Sequence, residues 1–410
     1  MSSTSSNPLD GVVVLDLSRI LAGPYASQKL GDMGATVWKV ERLGLGDDTR
    51  AWGPPFHEGI STYFMAVNRS KRSLALDLKH EQGKQVLARL IERCDVVLEN
   101  FRPGTLERLG FGWERIQELN PRAIYCSISG YGHVGKHRDR PSFDVIAQGE
   151  WGAQDLTGDP DGPPTKFGLS IADLTAGMHA VEGVLLALLQ RERTGRGQRV
   201  DVALADGLLA LLAYQGQMVL TGDVDPRRLG NAHPSIVPYQ TFPTQDGWLN
   251  VGVGNEKLWS KFCPAIGRAE LLEDARYTTN KDRVQHRAPL IESLSETFRG
   301  RTTEDWIAVL GEAGVPVGPI RSVRAALEDA RSDERGMITT VQHQDAGPLP
   351  MVGNPVKLSE QGYHPDYLPP PEVGEHSAEI LAAAGYSPAE VEALVAAGAV
   401  GVRGSAGAGA

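Results

Sequence analysis

Residues 11–42, GVVVLDLSRILAGPYASQKLGDMGATVWKVER, contain the pattern that decides the fold. The apolar run at residues 12–15 has the composition of a buried strand, and residues 24–33 form a short helical pattern that ends near Gly34. Residues 36–40, TVWKV, predict the next strand. A strand, a helix and a second strand in this order are typical of a parallel sheet covered by helices.

The same alternation continues through the first half of the chain. Strand patterns recur at residues 73–78, 95–98 and 122–127, and a helical pattern spans residues 80–93. Strands that alternate with helices predict an α/β fold, here a Rossmann-like large domain with a parallel sheet between two helical layers. Such sheets bind ligands at the carboxyl ends of their strands.

A smaller α+β domain is predicted to interrupt the large one. Residues 1–224 form the N-terminal part of the large domain, and the composition then shifts. Residues 225–330 combine two strand patterns, joined by a turn, with several helical patterns, and they predict the small domain. Strand patterns return after residue 330. The family resemblance described below implies that residues 331–400 rejoin the large domain. The Gly- and Ala-rich tail at residues 401–410 is predicted to be disordered.

Composition excludes several classes of protein. The 410 residues are 41% hydrophobic and 22% charged, which is typical of a soluble globular enzyme. The net charge of −10 disfavours a nucleic-acid partner, which requires a basic face. An anionic small ligand is compatible with that charge, because it needs only a local cluster of cations. We expect neither a membrane span nor a secretory signal, since long uninterrupted apolar runs and a basic leader are missing from the sequence.

The spacing of the cysteines and the missing motifs exclude further kinds of site and enzyme class. Cys94, Cys126 and Cys263 are far apart and form no CxxC pair, and the histidines show no HxH or HExxH spacing. We therefore expect no metal site and a reduced, cytoplasmic environment. The sequence also lacks P-loop, GxGxxG and GxSxG motifs. This disfavours nucleoside triphosphatases, nicotinamide-dependent oxidoreductases and hydrolases with a nucleophile elbow.

Asp173 is the acid with two competing interpretations. It lies where a loop enters the apolar helical pattern at residues 171–191. Asp is a good N-cap, so its role could be structural. It could equally be a nucleophilic or basic carboxylate, kept ionised by the free N–H groups and the dipole at the start of a helix. Either interpretation fits the residues alone.

Three segments could bind an anion. Arg42 ends a strand and precedes the Gly-rich loop at residues 43–47, and backbone N–H groups and guanidinium both favour phosphates. The segment NRSKR at residues 68–72 concentrates positive charge, although such runs are more often solvated surface. A polar turn follows the strand at residues 95–98. Its candidate ligand-binding residues are Asn100, Phe101 and Arg108.

These segments together resemble the class III CoA-transferase family over roughly residues 8–395. The motifs that carry the resemblance are LDLSRILAGPYASQKLGDMGATVWKVER (15–42), GDDTRAWGPPF (46–56), NRSKRSLALDLK (68–79), VVLENFRPGTLERLGFG (96–112), SGYG (129–132) and the segment from ADLTAG to ERTGRGQRVDVAL (172–204). The segments GDDTRAWGPPF and NAHPSIVPYQTF (231–242) look most similar to the branch that uses succinyl-CoA and dicarboxylates.

The resemblance implies both a reaction and a set of site residues. Asp173 would be the nucleophile, and it would form an aspartyl mixed anhydride and then an aspartyl-CoA thioester. In this branch CoA would move from the donor succinyl-CoA to a dicarboxylic acid, with no permanently bound cofactor. By family position, Arg42 and Arg108 would contact the CoA phosphates, and Asn100 and Phe101 would line the path of the cofactor. Our further candidates for CoA are Ile20, Leu21 and the cationic cluster of Arg69, Lys71 and Arg72. Our candidates for the acid substrate are Arg50, Tyr63, Phe143, His233 and Ser235. The family fold also implies an obligate, interlocked homodimer.

Alternatives remain within and outside this family. A formyl-CoA transferase is less well matched, because that branch has Gln where this chain has Leu21. An acyl-CoA racemase is also disfavoured, because racemases pair a His at the position of Phe143 with the aspartate, and Phe cannot exchange a proton. Intramolecular CoA transfer, as in mesaconyl-CoA isomerisation, and a non-catalytic CoA-binding protein are the other candidates.

Overall fold

The structure, a computed structural model, describes residues 7–362 and 365–403. The strands, numbered in chain order, are β1 Val13–Asp16, β2 Thr36–Glu41, β3 Phe56–His57, β4 Ile60–Ser61, β5 Arg72–Leu76, β6 Val96–Glu99, β7 Ile124–Ser129, β8 Arg199–Ala203, β9 Tyr239–Pro243, β10 Trp248–Gly252, β11 Val317–Pro319, β12 Ile338–His343, β13 Gly347–Val352 and β14 Val400–Gly401.

The α-helices are numbered in the same way. They are α1 Ala22–Asp32, α2 Thr62–Ala66, α3 Glu81–Ile91, α4 Thr105–Arg108, α5 Trp113–Leu119, α6 Asp144–Glu150, α7 Ala153–Leu156, α8 Ile171–Thr194, α9 Leu204–Leu211, α10 Ala213–Leu220, α11 Glu256–Ala265, α12 Asn280–Gln285, α13 Arg287–Phe298, α14 Thr303–Glu312, α15 Val323–Arg331, α16 Ser377–Ala383 and α17 Pro388–Ala396. The strand, helix and strand predicted within residues 11–42 are confirmed as β1, α1 and β2.

A seven-stranded sheet with the order β14-β5-β2-β1-β6-β7-β8 forms the centre of the larger unit. All its pairs are parallel except that of β14 with β5. From β1 the chain adds β2 and β5 on one side and then β6, β7 and β8 on the other. The strand order therefore reverses between β1 and β6, and open α/β sheets bind ligands at such a switch point. The predicted α/β fold with a parallel sheet is confirmed.

Apolar side chains cover both faces of this sheet. Val14 and Val96 belong to the core beneath α1 and α8, whereas their neighbours Leu15 and Val97 belong to the core beneath α3, α5 and the C-terminal helices. All four are completely buried. Successive strand residues point to opposite faces, so a strand buried on both faces has a continuous apolar run rather than an alternating one.

Helix α8 is the long central helix of the larger unit. A Cβ added at Gly177 would lie 2.7 Å from the carbonyl oxygen of Ala22, so glycine permits the close approach of α1. By length and composition α8 is apolar enough to cross a membrane. It nevertheless packs against α1 and β7 as a core helix. Its buried seam consists of Ala172, Thr175, Ala176, Gly177, Ala180, Val184, Ala187 and Arg191.

The smaller unit comprises residues 154–165 and 225–329. Its antiparallel sheet has the order β11-β10-β9, and helices α11 to α14 cover one face. Phe242 and Phe298 stack with ring centroids 4.8 Å apart, and Trp306 meets Phe298 edge to face. This unit has the predicted α+β character. Residues 154–165, which were predicted to belong to the large domain, cluster with the smaller unit instead.

The C-terminal segment adds the last strand to the large sheet. Helix α16 packs against β5, and Val400 and Gly401 of β14 pair with Leu76 and Ala75. The boundary predicted for the disordered tail is therefore wrong at Gly401, because a ladder of backbone hydrogen bonds holds it. The remainder of that predicted tail, residues 404–410, lies outside the described residues.

Candidate active site

A cleft of about 580 Å³ lies at the carboxyl ends of β1, β2, β5 and β6. It is open at the switch point of the sheet, where the topology predicts a ligand. Leucines form much of its wall, and polar groups lie at its base. The lining residues are Leu17, Ser18, Arg19, Lys39, Val40, Glu41, Arg42, Leu43, Leu45, Gly46, Asp47, Leu76, Asp77, Leu78, Lys79, Phe101, Thr105, Arg108 and Leu109.

Three of the predicted CoA-binding residues line this cleft: Arg42, Phe101 and Arg108. Arg42 has a half-exposed side chain that pairs with Asp48 and donates to the Gly46 carbonyl oxygen. Arg108 is exposed and donates to the hydroxyl of Thr105 at 2.9 Å. Within residues 7–362 and 365–403, no carboxylate forms an ion pair with Arg108. Its guanidinium is therefore the better placed of the two for an incoming phosphate.

The base of the cleft is a buried ionic network. The Lys39 ammonium donates to Asp47 at 2.9 Å and to the carbonyl oxygen of Ser18 at 3.0 Å. Burial opposes ionisation of Asp47, but Lys39 and hydrogen bonds from Thr49 outweigh it and hold the pKa of Asp47 below its usual value. Because a buried charge is tolerated only when paired, this network fixes the shape of the cleft.

Arg50 belongs to the same network. Its guanidinium donates twice to Glu41, both times at 2.8 Å, and also to the carbonyl oxygen of Pro371. Although burial raises it, the Arg50 charge holds the pKa of Glu41 below its usual value. Glu41 and Pro371 thus occupy donors of Arg50, and the binding of a substrate carboxylate by Arg50 stays a prediction.

The predicted cationic cluster at residues 68–72 does not reach the cleft. Arg69 is buried and makes a two-point ion pair with Asp32, at 3.0 and 2.7 Å. Lys71 is buried against Asp16, and this burial lowers the pKa of Lys71 to about 7. Arg72 starts β5, at the opposite end of the strand from the cleft, and pairs with Glu379. All three cations are thus engaged in ion pairs, and their role as CoA ligands stays a prediction.

Asn100, Ile20 and Leu21 shape the edge of the cleft instead of lining it. The Asn100 side chain accepts from the Arg19 N–H at 2.9 Å and donates to the Arg19 carbonyl oxygen at 2.7 Å. Ile20 follows with a φ of 72°, and Leu21 is the buried N-cap of α1. Asn100 thus holds the backbone of Arg19, a lining residue, and its role as a CoA ligand stays a prediction.

Asp173 lies in the first turn of α8, and Ser170 is the N-cap of that helix. The interpretation of Asp173 as the N-cap is therefore wrong. Its carboxylate accepts no hydrogen bond from any residue within 7–362 and 365–403 and forms no ion pair there. Burial, and then the negative charge of Asp144, raise the pKa of Asp173 to about 7. An acid that is desolvated and unpaired in a first turn is a candidate nucleophile.

Asp144 is the acid that accompanies Asp173. Its Oδ1 accepts the N–H of Ala172 at 2.9 Å, so it caps α8 from α6, and its Oδ2 accepts from Gln148 at 2.7 Å. The carboxylate is thus held beside the first turn that carries Asp173. Two carboxylates in one site disfavour their joint ionisation.

The Tyr63 hydroxyl is influenced by the charges of this pair and by that of Asp47. Burial, followed by the negative charges of Asp173, Asp144 and Asp47, raises the pKa of Tyr63 to about 12. One of these acids, Asp47, lines the cleft. Its ring meets Trp52 edge to face at 5.2 Å. The neutral hydroxyl can donate a hydrogen bond to a substrate oxygen.

The other predicted substrate residues have different surroundings. Phe143 precedes α6 next to Asp144, and its side chain is exposed. His233 and Ser235 belong to the smaller unit, where the Ser235 N–H donates to His233 Nδ1 at 3.1 Å. Burial and the charge of Arg287 lower the pKa of His233. A role of His233 and Ser235 in substrate binding stays a prediction.

Sequence reasoning missed Asp144, Asp47 and Lys39. Asp144 adjoins Phe143, which was singled out, but sequence spacing does not show that it caps α8. Asp47 ends the Gly-rich loop that was predicted to bind phosphate. Lys39 interrupts the apolar run of β2, and a lysine inside such a strand is the signal that could have predicted a buried ion pair.

Within the described ranges, His, Cys, Asp and Glu side chains form no group of three that could hold a metal ion. The functional groups that the described site does offer are the carboxylate of Asp173 and, in the cleft, the guanidinium of Arg108.

Comparisons with known proteins agree with this arrangement. The model of CoA-transferase family III matches residues 9–377. The succinyl-CoA:glutarate CoA-transferase of Mus musculus is 41% identical over 92% of this chain and 86% of its own length. The succinate–glutarate CoA-transferase of Agrobacterium fabrum is 40% identical over 92% of this chain and 95% of its own length.

Solved structures agree as well. The crystal structure of a CAIB/BAIF family protein from Brucella suis superposes with a TM-score of 0.82 and is 41% identical, covering 92% of this chain and 100% of that one. Sequence and fold thus match along nearly the whole length of these relatives. The chain is a class III CoA-transferase, a member of CoA-transferase family III.

Proposed function

We propose that this enzyme transfers CoA from succinyl-CoA to a dicarboxylic acid of the glutarate class. The relatives named for succinyl-CoA or succinate and glutarate support this choice of substrates. The observation that carries the proposed chemistry is the unpaired, desolvated carboxylate of Asp173 in the first turn of α8. CoA itself is a substrate here rather than a resident cofactor.

The first half-reaction moves the succinyl group to the enzyme. A carboxylate oxygen of Asp173 attacks the thioester carbonyl of succinyl-CoA, the C–S bond breaks, and CoA leaves as the thiolate. The product is a mixed anhydride of Asp173 and succinate. The thiolate then attacks the Asp173 carbonyl, which gives an aspartyl-CoA thioester and releases succinate with the former bridging oxygen. No net proton transfer is required.

The second half-reaction repeats these steps in reverse. A glutarate carboxylate attacks the aspartyl thioester, and the thiolate leaves. It then attacks the glutaryl carbonyl of the new anhydride, which yields glutaryl-CoA and restores Asp173. Both intermediates are activated acyl groups, so transfer is nearly thermoneutral, and the site must above all exclude water.

CoA would bind in the cleft of about 580 Å³ described above. Its phosphates would meet Arg108 and Arg42, and its nucleotide or pantetheine portion would pass Phe101, which faces the same cleft. The Tyr63 hydroxyl, near both Asp47 and Asp173, would donate to the thioester or carboxylate oxygen.

We also propose a cytoplasmic, interlocked homodimer. Three consecutive helices, α8, α9 and α10, expose large apolar side chains: Met178, Leu185, Leu186, Leu189, Leu209, Leu211, Tyr214, Val219 and Leu220. Leu220 is 81% exposed. Exposed apolar side chains concentrated on a few elements mark protein–protein interfaces, and a second copy of the chain would cover them.

Product analysis tests the proposed function. Purified enzyme is mixed with succinyl-CoA and one acid at a time: glutarate, hydroxymethylglutarate, malate, citramalate or itaconate. Mass spectrometry of CoA esters should show glutaryl-CoA and an equal amount of free succinate. Intact succinyl-CoA with every acid would contradict the proposal. An isomerised acyl-CoA formed without any acceptor, or transfer between formyl-CoA and oxalate alone, would favour the corresponding alternative.

Arg108→Gln should weaken the binding of the CoA donor. Loss of a charge-assisted hydrogen bond to phosphate should raise the KM for succinyl-CoA about tenfold and leave kcat within a factor of about two. Steady-state kinetics measure both constants. Arg115→Gln is the matched control, because Arg115 is exposed on α5 and pairs with Glu118. An unchanged KM in Arg108→Gln would show that Arg108 does not contribute to CoA binding.

Asp144→Asn should change the pH dependence of kcat/KM. It removes the like charge beside Asp173 and keeps an oxygen that can accept from Ala172. The ionised form of Asp173 becomes more favourable, so its pKa falls below about 7. The acid limb of the kcat/KM profile should therefore shift to lower pH, by about one unit. Asp139→Asn, in the exposed loop before α6, is the control. A limb that stays in place or moves upward would contradict this electrostatic assignment.

A further inference from the structure

The turn at Ser18–Leu21 has a strained backbone. Ile20 has a φ of 72°, in the left-handed region. A β-branched side chain is a genuine outlier there, because its Cβ substituents crowd the neighbouring carbonyl oxygen. Such a conformation persists only where the surroundings enforce it, and strained residues cluster at functional sites.

Two side chains from two other loops enforce it. Asn100, which follows β6, binds both the N–H and the carbonyl oxygen of Arg19, at 2.9 and 2.7 Å. Asp47, which follows β2, accepts the N–H of Ile20 at 3.2 and 3.3 Å with its two oxygens. The turn is therefore held at successive residues, from both sides of the cleft.

The Asp47 side is itself rigid. Its carboxylate is fixed by Lys39 at 2.9 Å and by the N–H and hydroxyl of Thr49 at 3.0 and 2.8 Å. Lys39 also reaches the carbonyl oxygen of Ser18 at 3.0 Å, one residue before the clamped pair. The ionic base of the cleft and the strained turn thus form one hydrogen-bonded unit.

This turn connects the CoA cleft to the helix of the nucleophile. Ser18 and Arg19 line the cleft, and the turn leads directly into α1. The first turn of α1 packs tightly against Ser18 on one side and against α8 on the other. A Cβ at Gly23 would lie 2.2 Å from Ser18 Cβ, and one at Gly177 would lie 2.7 Å from the Ala22 carbonyl oxygen. Gly177 is one helical turn beyond Asp173 on α8.

We propose that Asn100 and Asp47 are positioning residues that clamp the Arg19–Ile20 turn in its strained conformation and so hold α1 in register with the helix that carries Asp173. The inference rests on the proposed function and adds a reason for the strain. Asn100 then acts through the turn rather than by contact with CoA. Misplacement of reacting groups by a fraction of an ångström lowers kcat, whereas loss of a ligand contact raises KM.

A double-mutant cycle tests the clamp. Asn100→Ala should lower kcat about tenfold and change the KM for succinyl-CoA by less than about threefold. Glycine adopts positive φ without a steric cost, so a turn with Ile20→Gly depends less on the clamp. In the Ile20→Gly background, Asn100→Ala should therefore lower kcat by less than about threefold. An equal loss in both backgrounds, or a raised KM at unchanged kcat, would overturn the proposal.

Two further variants keep the cycle interpretable. Asn100→Asp retains an acceptor for the Arg19 N–H but loses the donor to its carbonyl oxygen, and it enters the same cycle if Asn100→Ala does not fold. Asn120→Ala is the matched control. Asn120 also binds backbone groups through its side chain, at Ile91, Cys94 and Arg122, but at the amino ends of β6 and β7. It should lower the melting temperature without lowering kcat.

A structural readout separates this inference from the proposed function. Trypsin cleaves after arginine, and the Arg19 side chain is 45% exposed. Asn100→Ala should speed cleavage between Arg19 and Ile20 about tenfold, because the turn then opens more often, whereas Asn120→Ala should not. Cleavage is followed by mass spectrometry without any substrate. Unchanged cleavage in Asn100→Ala would overturn the clamp, whereas a parent enzyme without CoA transfer would overturn only the proposed function.

Discussion

Asp173→Ala should abolish CoA transfer and leave CoA binding intact. Without the carboxylate neither the anhydride nor the aspartyl thioester can form, so kcat should fall by at least about 10⁴-fold. The dissociation constant for CoA, measured by calorimetry, should change little, because the cleft residues are untouched. The variant should also fold at least as stably at pH 8, since ionising Asp173 above its raised pKa of about 7 costs stability that alanine does not lose.

Asp206→Ala is the matched control for this experiment. Asp206 occupies the same first-turn position in α9 that Asp173 occupies in α8, but it is exposed. Its loss should leave kcat within about twofold, as is usual for a solvated surface acid. Residual turnover of Asp173→Ala close to that of the parent enzyme would show that another group carries the acyl transfer.

Arg69→Ala should destabilise the larger unit strongly and have no direct effect on the binding of CoA. It would leave the Asp32 carboxylate buried without its two-point partner and would also remove a hydrogen bond to the carbonyl oxygen of Val352. Breaking a buried pair in this way lowers the free energy of unfolding by about 3–5 kcal/mol. Urea denaturation, followed by circular dichroism, measures the change.

The same Arg69→Ala preparation also tests whether this residue binds CoA. The KM for succinyl-CoA of the folded fraction should stay within about twofold of the parent value, because Arg69 lies outside the cleft lining. Arg115→Ala provides the contrast, since exposed ion pairs contribute about 1 kcal/mol or less. A stable Arg69→Ala protein with a much higher KM would instead support the prediction that Arg69 binds CoA.

Much of the fold follows from patterns that are local in sequence. Buried strands such as β1 and β6 are continuous apolar runs, and α3 has a clear amphipathic face, so period and composition predict them. Residues 205–220 are apolar enough for one continuous helix, but Ala213 has a φ of 42° and lies where α9 gives way to α10. The return of residues 400 and 401 to β5 depends on a partner more than 300 residues away, which no local pattern encodes.

The sequence predicts those site residues that come after the carboxyl ends of predicted strands. Arg42 directly follows β2 and Phe101 comes two residues after β6, whereas Arg108 lies in α4, the short helix after β6; all three line the cleft. Local charge density does not reveal the burial of Arg69 and Lys71, since their partners Asp32 and Asp16 lie far away in sequence and burial is a tertiary property. The same limitation hid Asp144, whose importance depends on packing between α6 and α8.

The central claim is that Asp173 carries the acyl group, and labelled oxygen tests it most directly. The enzyme is incubated with succinyl-CoA and glutarate labelled with ¹⁸O in its carboxylates, and the peptide that contains Asp173 is then analysed by mass spectrometry. In a single turnover, the account predicts that the Asp173 carboxylate gains one ¹⁸O atom, because the bridging oxygen from glutarate stays on Asp173 when glutaryl-CoA leaves. An unlabelled Asp173 together with labelled succinate would contradict it, since this combination requires direct transfer between the two substrates.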